Sequence, residues 1–363
     1  MESNKARVIA YYLPQFHPIP ENDEWWGKGF TEWTNVGKAR PLFKGHYQPL
    51  VPADLGYYDL RIPEVREEQA KLAKEAGIEG FCYWHYWFGD GKRLLEMPFN
   101  EVVSSGKPDF PFCLGWANES WQAKVWNREA GENRTLIEQK YPGEKDNEDH
   151  FYELLPAFQD KRYIRVDGNP FFLIYKPLQF PGVSDFIKQW NALLKKNNVG
   201  EKFYFVANAY NEDEYLALKQ LGFDAVTINP SSRMIYKSKI VTFIRKVARR
   251  LFNVPIVVNY SSVIDGFTRD IDKQEDVIPF ILPNWDHSPR SAKRAIVLHK
   301  STPQLFQKHV KKVFDVVEEK ENKLVILKSW NEWGEGNYME PDLKWGKGYL
   351  EAVKSYLIKK IEF

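Results

Sequence analysis

Eight short apolar runs recur along the chain, and segments with helical spacing separate most of them. The runs are RVIAYYLP (7–14), IEGFCYWHYW (78–87), FPFCLGWANES (110–120), NPFFLIYKP (169–177), KFYFVANAY (202–210), FDAVTINP (223–230), VIPFILPNWDH (277–287) and KLVILKSWNEW (323–333). They are near-continuous rather than alternating, the pattern of strands covered on both faces. The segment 63–76 places Pro63 in a first helical turn and stops before Gly77, as a helix does. Helical patterns also cover 184–197, 212–221 before Gly222, 302–320 with a capping Thr-Pro start, and 348–361. Eight strand–helix units in 363 residues predict an α/β fold, a single (β/α)8 TIM barrel over 1–363 with long loops after strands one and three. A doubly wound sheet is the alternative. It would need a glycine-rich phosphate loop after the first strand, where YYLPQFHP stands instead. No linker rich in Gly, Ser or Pro divides the chain.

A barrel of this class carries its chemistry at the C-terminal ends of its strands. Those ends are loaded here. Strand one ends in Tyr12, Gln15 and His17, and its loop carries Trp25, Trp26, Glu32, Trp33 and His46. The second ends in Trp84, His85, Tyr86 and Trp87, and the third is followed by Trp116, Asn118, Glu119 and Trp121. Tyr175 and Lys176 end the fourth, Asn208 and Tyr210 the fifth, Asn229 the sixth. The seventh closes with Asn284, Trp285, Asp286 and His287, the eighth with Trp330, Asn331, Glu332, Trp333 and Glu335. A lone Trp is ordinarily core and a lone His ordinarily a hydrogen-bonded structural residue. Their concentration at one kind of position predicts a mouth with aromatic walls and a few polar groups, the form of a sugar site. The expected walls and hydrogen-bonding points are Tyr12, Trp84, His85, Trp116, Asn118, Lys176, Asn284, Trp285, Trp330, Trp333 and Tyr338.

Glycoside cleavage takes a proton donor for the leaving oxygen and a second carboxylate across the bond. Glu332 and Glu335 lie three apart at a strand end, in a stretch that holds two tryptophans, with Gly334 and Gly336 permitting a sharp backbone path. A walled site can keep one carboxyl protonated while its neighbour stays ionised. The plainer reading of E-x-x-E is a solvated pair on a helix face. Other chemistries find less support: His17 and His46 lack metal-ligand spacing, and no HExxH, CxxC or GxSxG occurs. No metal or cofactor is implied. Asp270-Ile271-Asp272 resembles a metal–nucleotide-sugar DxD but lies in the charged stretch RDIDKQED, which reads as a solvated turn.

Composition bounds this picture. The chain is 43% hydrophobic and 28% charged, a globular balance. Its net charge of +2 is too small to point to nucleic acid. Aromatic residues make up 15%, which suits both a packed core and flat ligand faces. Cys82 and Cys113 sit in strand-like runs and are expected as free buried thiols. The N-terminal stretch has no secretory h-region, so a cytoplasmic protein is expected. Residues 237–252, KSKIVTFIRKVARRLF, hold six Lys/Arg and no acid. They read as an outer helix with a basic face, or as a peripheral membrane contact.

Three stretches carry a resemblance: YYLPQFHPIPENDEWWGKGFTEWTNV (11–36), GHYQPLVPADLGYYDLR (45–61) and SWNEWGEGNYMEP (329–341). Together they resemble the WbsX-type family, named as glycosyltransferases of bacterial surface-polysaccharide gene clusters and related in fold to glycoside hydrolase family 99. Family 99 enzymes are (β/α)8 endo-acting α-mannosidases and mannanases that retain configuration without a metal. The resemblance implies that Glu332 is a base acting on the sugar's own 2-hydroxyl, which closes a 1,2-anhydro intermediate. It implies that Glu335 is the general acid and then the base that activates water. The expected activity is a metal-independent retaining glycoside hydrolase, endo-acting on an α-linked, mannose-like oligosaccharide or polysaccharide. A transferase using the same carboxylates in surface-polysaccharide biosynthesis, and a sugar-binding barrel without turnover, are the rival readings.

Overall fold

The computed structural model describes residues 5–123, 134–234 and 254–358. Nine parallel strands form a nearly closed barrel: β1 (Arg7–Tyr12), β2 (Gly80–Trp87), β3 (Phe112–Trp116), β4 (Asn169–Ile174), β5 (Tyr204–Ala209), β6 (Ala225–Ile228), β7 (Val277–Ile278), β8 (Phe280–Ile281) and β9 (Leu324–Leu327). Their order around the barrel is β7-β6-β5-β4-β3-β2-β1-β9-β8. The register pairs Val8 with Val325 across β1 and β9, and Tyr83 with Leu114 across β2 and β3. All eight residues of β2 are buried, as its unbroken apolar run predicts.

The seventh predicted strand is two. Pro279 has no N–H to give to a ladder, and the run changes neighbour there. Val277 and Ile278 pair with β6, whereas Phe280 and Ile281 pair with β9. The Pro279 carbonyl still accepts from Ile326 N–H at 3.0 Å, so the strand spans the seam of the barrel.

Helices pack around the strands: α1 (Pro63–Glu75), α2 (Met97–Ser105), α3 (Glu144–Gln159), α4 (Val183–Lys196), α5 (Tyr215–Gln220), α6 (Pro303–Glu318) and α7 (Gly348–Leu357). α4 buries Val183, Phe186, Ile187, Trp190, Leu193 and Leu194, one stripe at helical spacing. α6 opens as expected, with Thr302 Oγ1 accepting Leu305 N–H at 3.3 Å. The 212–221 pattern forms one tight turn and then the short α5, and the terminal helix stops at Leu357. α3 goes beyond the sequence reading; six polar residues (EKDNED) open it and Pro156 lies inside it. Its apolar residues cluster afterwards, where Phe151, Leu154, Ala157 and Phe158 reach the core.

Cys82 and Cys113 are free and buried, and they face each other in register across β2 and β3. The DxD turn is only partly solvated: Asp270 is exposed beside Lys273, but Asp272 is buried against Arg233 at 2.7 Å. The basic stretch 237–252 lies outside the described residues. Among the described residues, no helix is long and apolar enough to cross a membrane.

Trp190 is completely buried where α4 meets Phe172, Phe203 and Phe151. Trp190→Ala is expected to destabilise the fold by about 3–5 kcal/mol in chemical denaturation. A loss below about 1 kcal/mol would contradict this packing.

Candidate active site

The site begins where β9 ends. After Leu327 the chain passes a cis peptide between Lys328 and Ser329, and Asn331–Glu332 pairs antiparallel with Asn337–Tyr338. Asn331 pins this ribbon to the end of β1, accepting from Leu13 N–H at 2.7 Å and donating to Leu13 C=O at 3.0 Å. Trp333, Gly334 and Glu335 form one tight turn between the two short strands. A Cβ at Gly334 would lie 1.6 Å from Glu32 Oε1, so only glycine lets that carboxylate reach the turn. Gly336 has φ +57°, and Asp286 N–H donates to the Glu335 carbonyl at 2.7 Å. The loop after β8 thus holds the far side of the turn.

Glu332 and Glu335 open into a cleft of about 510 Å³ at this end of the barrel. Trp26, Trp84, Tyr86, Trp121 and Tyr175 supply its aromatic walls, and Glu32, Glu119, Lys38, Lys328 and Arg290 its charges. Trp84 Nε1 donates to Glu332 Oε1 at 3.2 Å, while Glu332 Oε2 is buried without a partner among the described residues. Arg290 bridges two acids: Nε reaches Glu32 at 2.7 Å and Nη1 reaches Glu335 at 2.6 Å. His287 Nε2 lies 3.7 Å from the same Glu335 oxygen. Lys328 stands over the Trp285 ring at 5.3 Å. Among the described residues, no group of three or more His, Cys, Asp or Glu is placed to hold a metal ion.

The two carboxyls settle into opposite states. Burial, and then the charge of Glu335, push Glu332 up to about 8, against the pull of Lys328 and Arg290. Burial also pushes on Glu335, but Arg290 foremost, with Lys328 and His287, holds it well below the usual carboxylate range. The pair therefore keeps one proton at neutral pH, on Glu332. This is the reverse of the resting charges that the implied roles require, in which the base starts ionised and the acid protonated. The reason is Arg290, which no reading of the E-x-x-E pattern includes.

Of the expected contact residues, Trp84 lines the cleft with Glu332 and Glu335. Trp285 stacks on His287 at its edge, with ring centroids 6.1 Å apart. Lys176 stands at the rim, 3.9 Å from the cleft residue Glu119. Others need correction because burial takes them elsewhere. Tyr12 points to α1 and donates to Gln69 at 2.7 Å. His85 is buried against His150 of α3, the two Nε2 atoms 2.8 Å apart. Trp116 is core, its Nε1 donating to the Trp87 carbonyl at 2.9 Å. Asn118 clamps Lys176 through that residue's N–H at 2.7 Å and C=O at 3.1 Å. Trp330 and Trp333 are both wholly buried; Trp333 donates to Glu340 at 2.6 Å and stacks on Tyr338 at 3.7 Å. Asn284 and Tyr338 line a different cavity. Arg290 and Lys328 are functional candidates that the sequence reading did not single out. A usable signal existed: three glutamates in one aromatic mouth require a cation.

Two outcomes follow from the charge arrangement. A carboxyl held high, like Glu332, costs stability as pH rises from the unfolded value near 4.5 to about 8. Glu332→Gln is therefore expected to raise the unfolding midpoint above about pH 8 and to change it little below about pH 4.5. A carboxyl held low, like Glu335, adds stability above about pH 4.5 that is lost as pH falls. Arg290→Leu, which strands two buried carboxylates, is expected to cost about 3–5 kcal/mol at neutral pH. Denaturation at a series of pH values should show that penalty shrinking in acid; a pH-independent penalty would refute the ion cluster.

Comparison with known proteins places the chain in a family and a fold. The model of the family described as "Glycosyltransferase WbsX" matches residues 8–353. The WxcX protein of Xanthomonas campestris pv. campestris is 35% identical over 368 residues, covering 99% of this chain and 50% of its own length. The chain thus spans about half the length of the curated relatives it matches. Among solved structures, a glycoside hydrolase-like protein superposes with a TM-score of 0.63 at 15% identity, covering 98% of this chain and 95% of its own. The glycoside hydrolase family 99 endo-α-mannosidase of Bacteroides thetaiotaomicron superposes with a TM-score of 0.57 at 14% identity, covering 99% and 97%. These two likenesses show the fold, an α/β TIM-like barrel. The family match covers the great majority of the chain, which belongs to the WbsX glycosyltransferase family.

Proposed function

We propose that this chain is a retaining, metal-independent glycoside hydrolase, endo-acting on an α-linked, mannose-like polysaccharide, with Glu332 and Glu335 as its catalytic pair. The observation that carries the reading is two adjoining carboxyls in one aromatic cleft, Glu332 beside Trp84 and Glu335 beside Arg290. A sugar ring has flat apolar faces for Trp84, Trp26 and Tyr175 to meet and hydroxyls for Glu32, Glu119 and Lys328 to orient. In the roles that the family resemblance implies, the proton passes from Glu332 to Glu335 as the substrate seats. Glu332 then takes the proton of the 2-hydroxyl and O2 bonds to C1. The C1–leaving-oxygen bond breaks, and Glu335 protonates that oxygen. Water, deprotonated by Glu335, opens the 1,2-anhydro ring; O2 recovers its proton from Glu332, and configuration is retained overall.

A second assignment is favoured by Arg290, which stabilises the anion on Glu335. There Glu332 is the acid from the start and Glu335 the nucleophile of a covalent intermediate. An activated aryl glycoside separates the two, since a good leaving group needs no proton. The variant of the acid keeps its first step on that substrate, and the variant of the other residue does not.

The primary test is mass spectrometry of labelled oligosaccharides, α-mannan fragments included, after incubation with wild type, Glu332→Gln and Glu335→Gln. Wild type is expected to give shorter products that have gained water, and each variant to be slower by about 10²–10⁴-fold on unactivated substrate. Longer products in place of hydrolysed ones would establish a transferase. Binding that survives Glu335→Gln without any turnover of the bound glycan in wild type would establish a sugar-binding barrel.

A further inference from the structure

A second cavity, of about 420 Å³, opens behind the wall that carries Glu335. Two chain segments make the wall, and neighbours along each face opposite ways. His287 and Glu335 line the cleft, whereas Asp286 and Gly336 line the cavity. None of the chemistry assigned to the cleft uses this space.

The acids in it are already engaged. Asp286 receives His46 Nε2 at 2.8 Å, Gln48 Nε2 at 2.5 Å and Ser288 N–H at 3.0 Å. Asp342 receives the Tyr338 hydroxyl at 2.7 Å and Trp345 N–H at 2.5 Å. The cations are not so engaged. Lys44, Lys300 and Lys344 line the opening, and none of the three has a carboxylate within ion-pair distance among the described residues. Lys344 is set in place by two rings, its Nζ 4.6 Å from Tyr47 and 5.0 Å from Trp345. Lys300 sits at φ +62°, a left-handed backbone uncommon for a long side chain. The next residue, Ser301, is tied to the Pro283 carbonyl at 2.6 Å and to the Tyr349 hydroxyl at 2.9 Å. His299 between these lysines is held below its ordinary range by burial and by the charges of Lys300, His46 and Lys344. Deeper in, the Asn284 side-chain oxygen Oδ1 is buried without a partner among the described residues.

We propose that this cavity binds a sugar unit bearing a negative charge, a hexuronate or a sugar phosphate. The lysine rim takes the acidic group, and Asn284 and His299 take hydroxyls. The assignment stands apart from the reading of the cleft, because it concerns binding and not turnover.

Titration calorimetry on the full chain tests it with glucuronate, glucose 6-phosphate, glucose and inorganic phosphate. The acidic sugars are expected to bind at least about tenfold tighter than glucose or inorganic phosphate, and more weakly as salt rises. The double variant Lys300→Ala/Lys344→Ala should lose most of that preference. Lys300→Arg/Lys344→Arg should keep it, which controls for folding, and Glu335→Gln should leave it unchanged. Preference for glucuronate over glucose 6-phosphate, or the reverse, identifies the source of the charge. Glucose binding as tightly as both acidic sugars overturns the proposal, as does inorganic phosphate binding as tightly as the sugars. An affinity that changes with Glu335→Gln and not with the lysines also overturns it, since it moves the site to the cleft.

Discussion

The cleft end of this barrel depends on one guanidinium. Arg290 comes from the loop after β8, reaches Glu32 in the loop after β1, and reaches Glu335 in the turn after β9. Three segments distant in sequence are tied at one mostly buried point. Without that charge, Glu32, Glu332 and Glu335 would crowd one cleft, and like charges so placed drive protons on. With it, only one of the two catalytic candidates carries a proton. The bridge also explains Gly334: the space a side chain would fill there belongs to the carboxylate of Glu32.

Behind this cluster the tryptophans of the last-strand motif act as scaffold. Trp333 and Tyr58 donate to Glu340 Oε2 at 2.6 and 2.9 Å, and Gln69 donates to Oε1 at 2.6 Å. Gln69 in turn accepts from Tyr12. Burial pushes Glu340 up to about 7, and these donors offset part of that push. A buried network with its members satisfied fixes one arrangement of side chains. Here it fixes the floor on which the Glu332–Glu335 turn rests, and it joins that floor to β1 and α1.

Much of the barrel was legible because buried parallel strands are written as continuous apolar runs, β2 most plainly. The split at Pro279 was legible only in hindsight, since a missing N–H matters only once the neighbouring strands are known. Helix α3 was hidden by its polar opening and by Pro156. That Glu332 and Glu335 share one aromatic cleft was legible from spacing and company. Which aromatic rings face the cleft was not, because strand ends twist and each ring's direction is set by remote partners. Trp84 meets Glu332, 248 positions away, while its neighbour His85 turns outward to α3. Arg290 sits 258 positions from Glu32, and no local pattern joins them.

The seam at Pro279 has a consequence for motion. On either side of it the ladder is two residue pairs long, against four or five between most other neighbours. Cooperative opening starts where the hydrogen-bonded pairing is thinnest. The chain leaving that seam runs directly into Asn284–His287, the partition between cleft and cavity. The barrel's thinnest pairing therefore sits under a wall that faces both chambers, and a breath at the seam is felt on both of its faces at once.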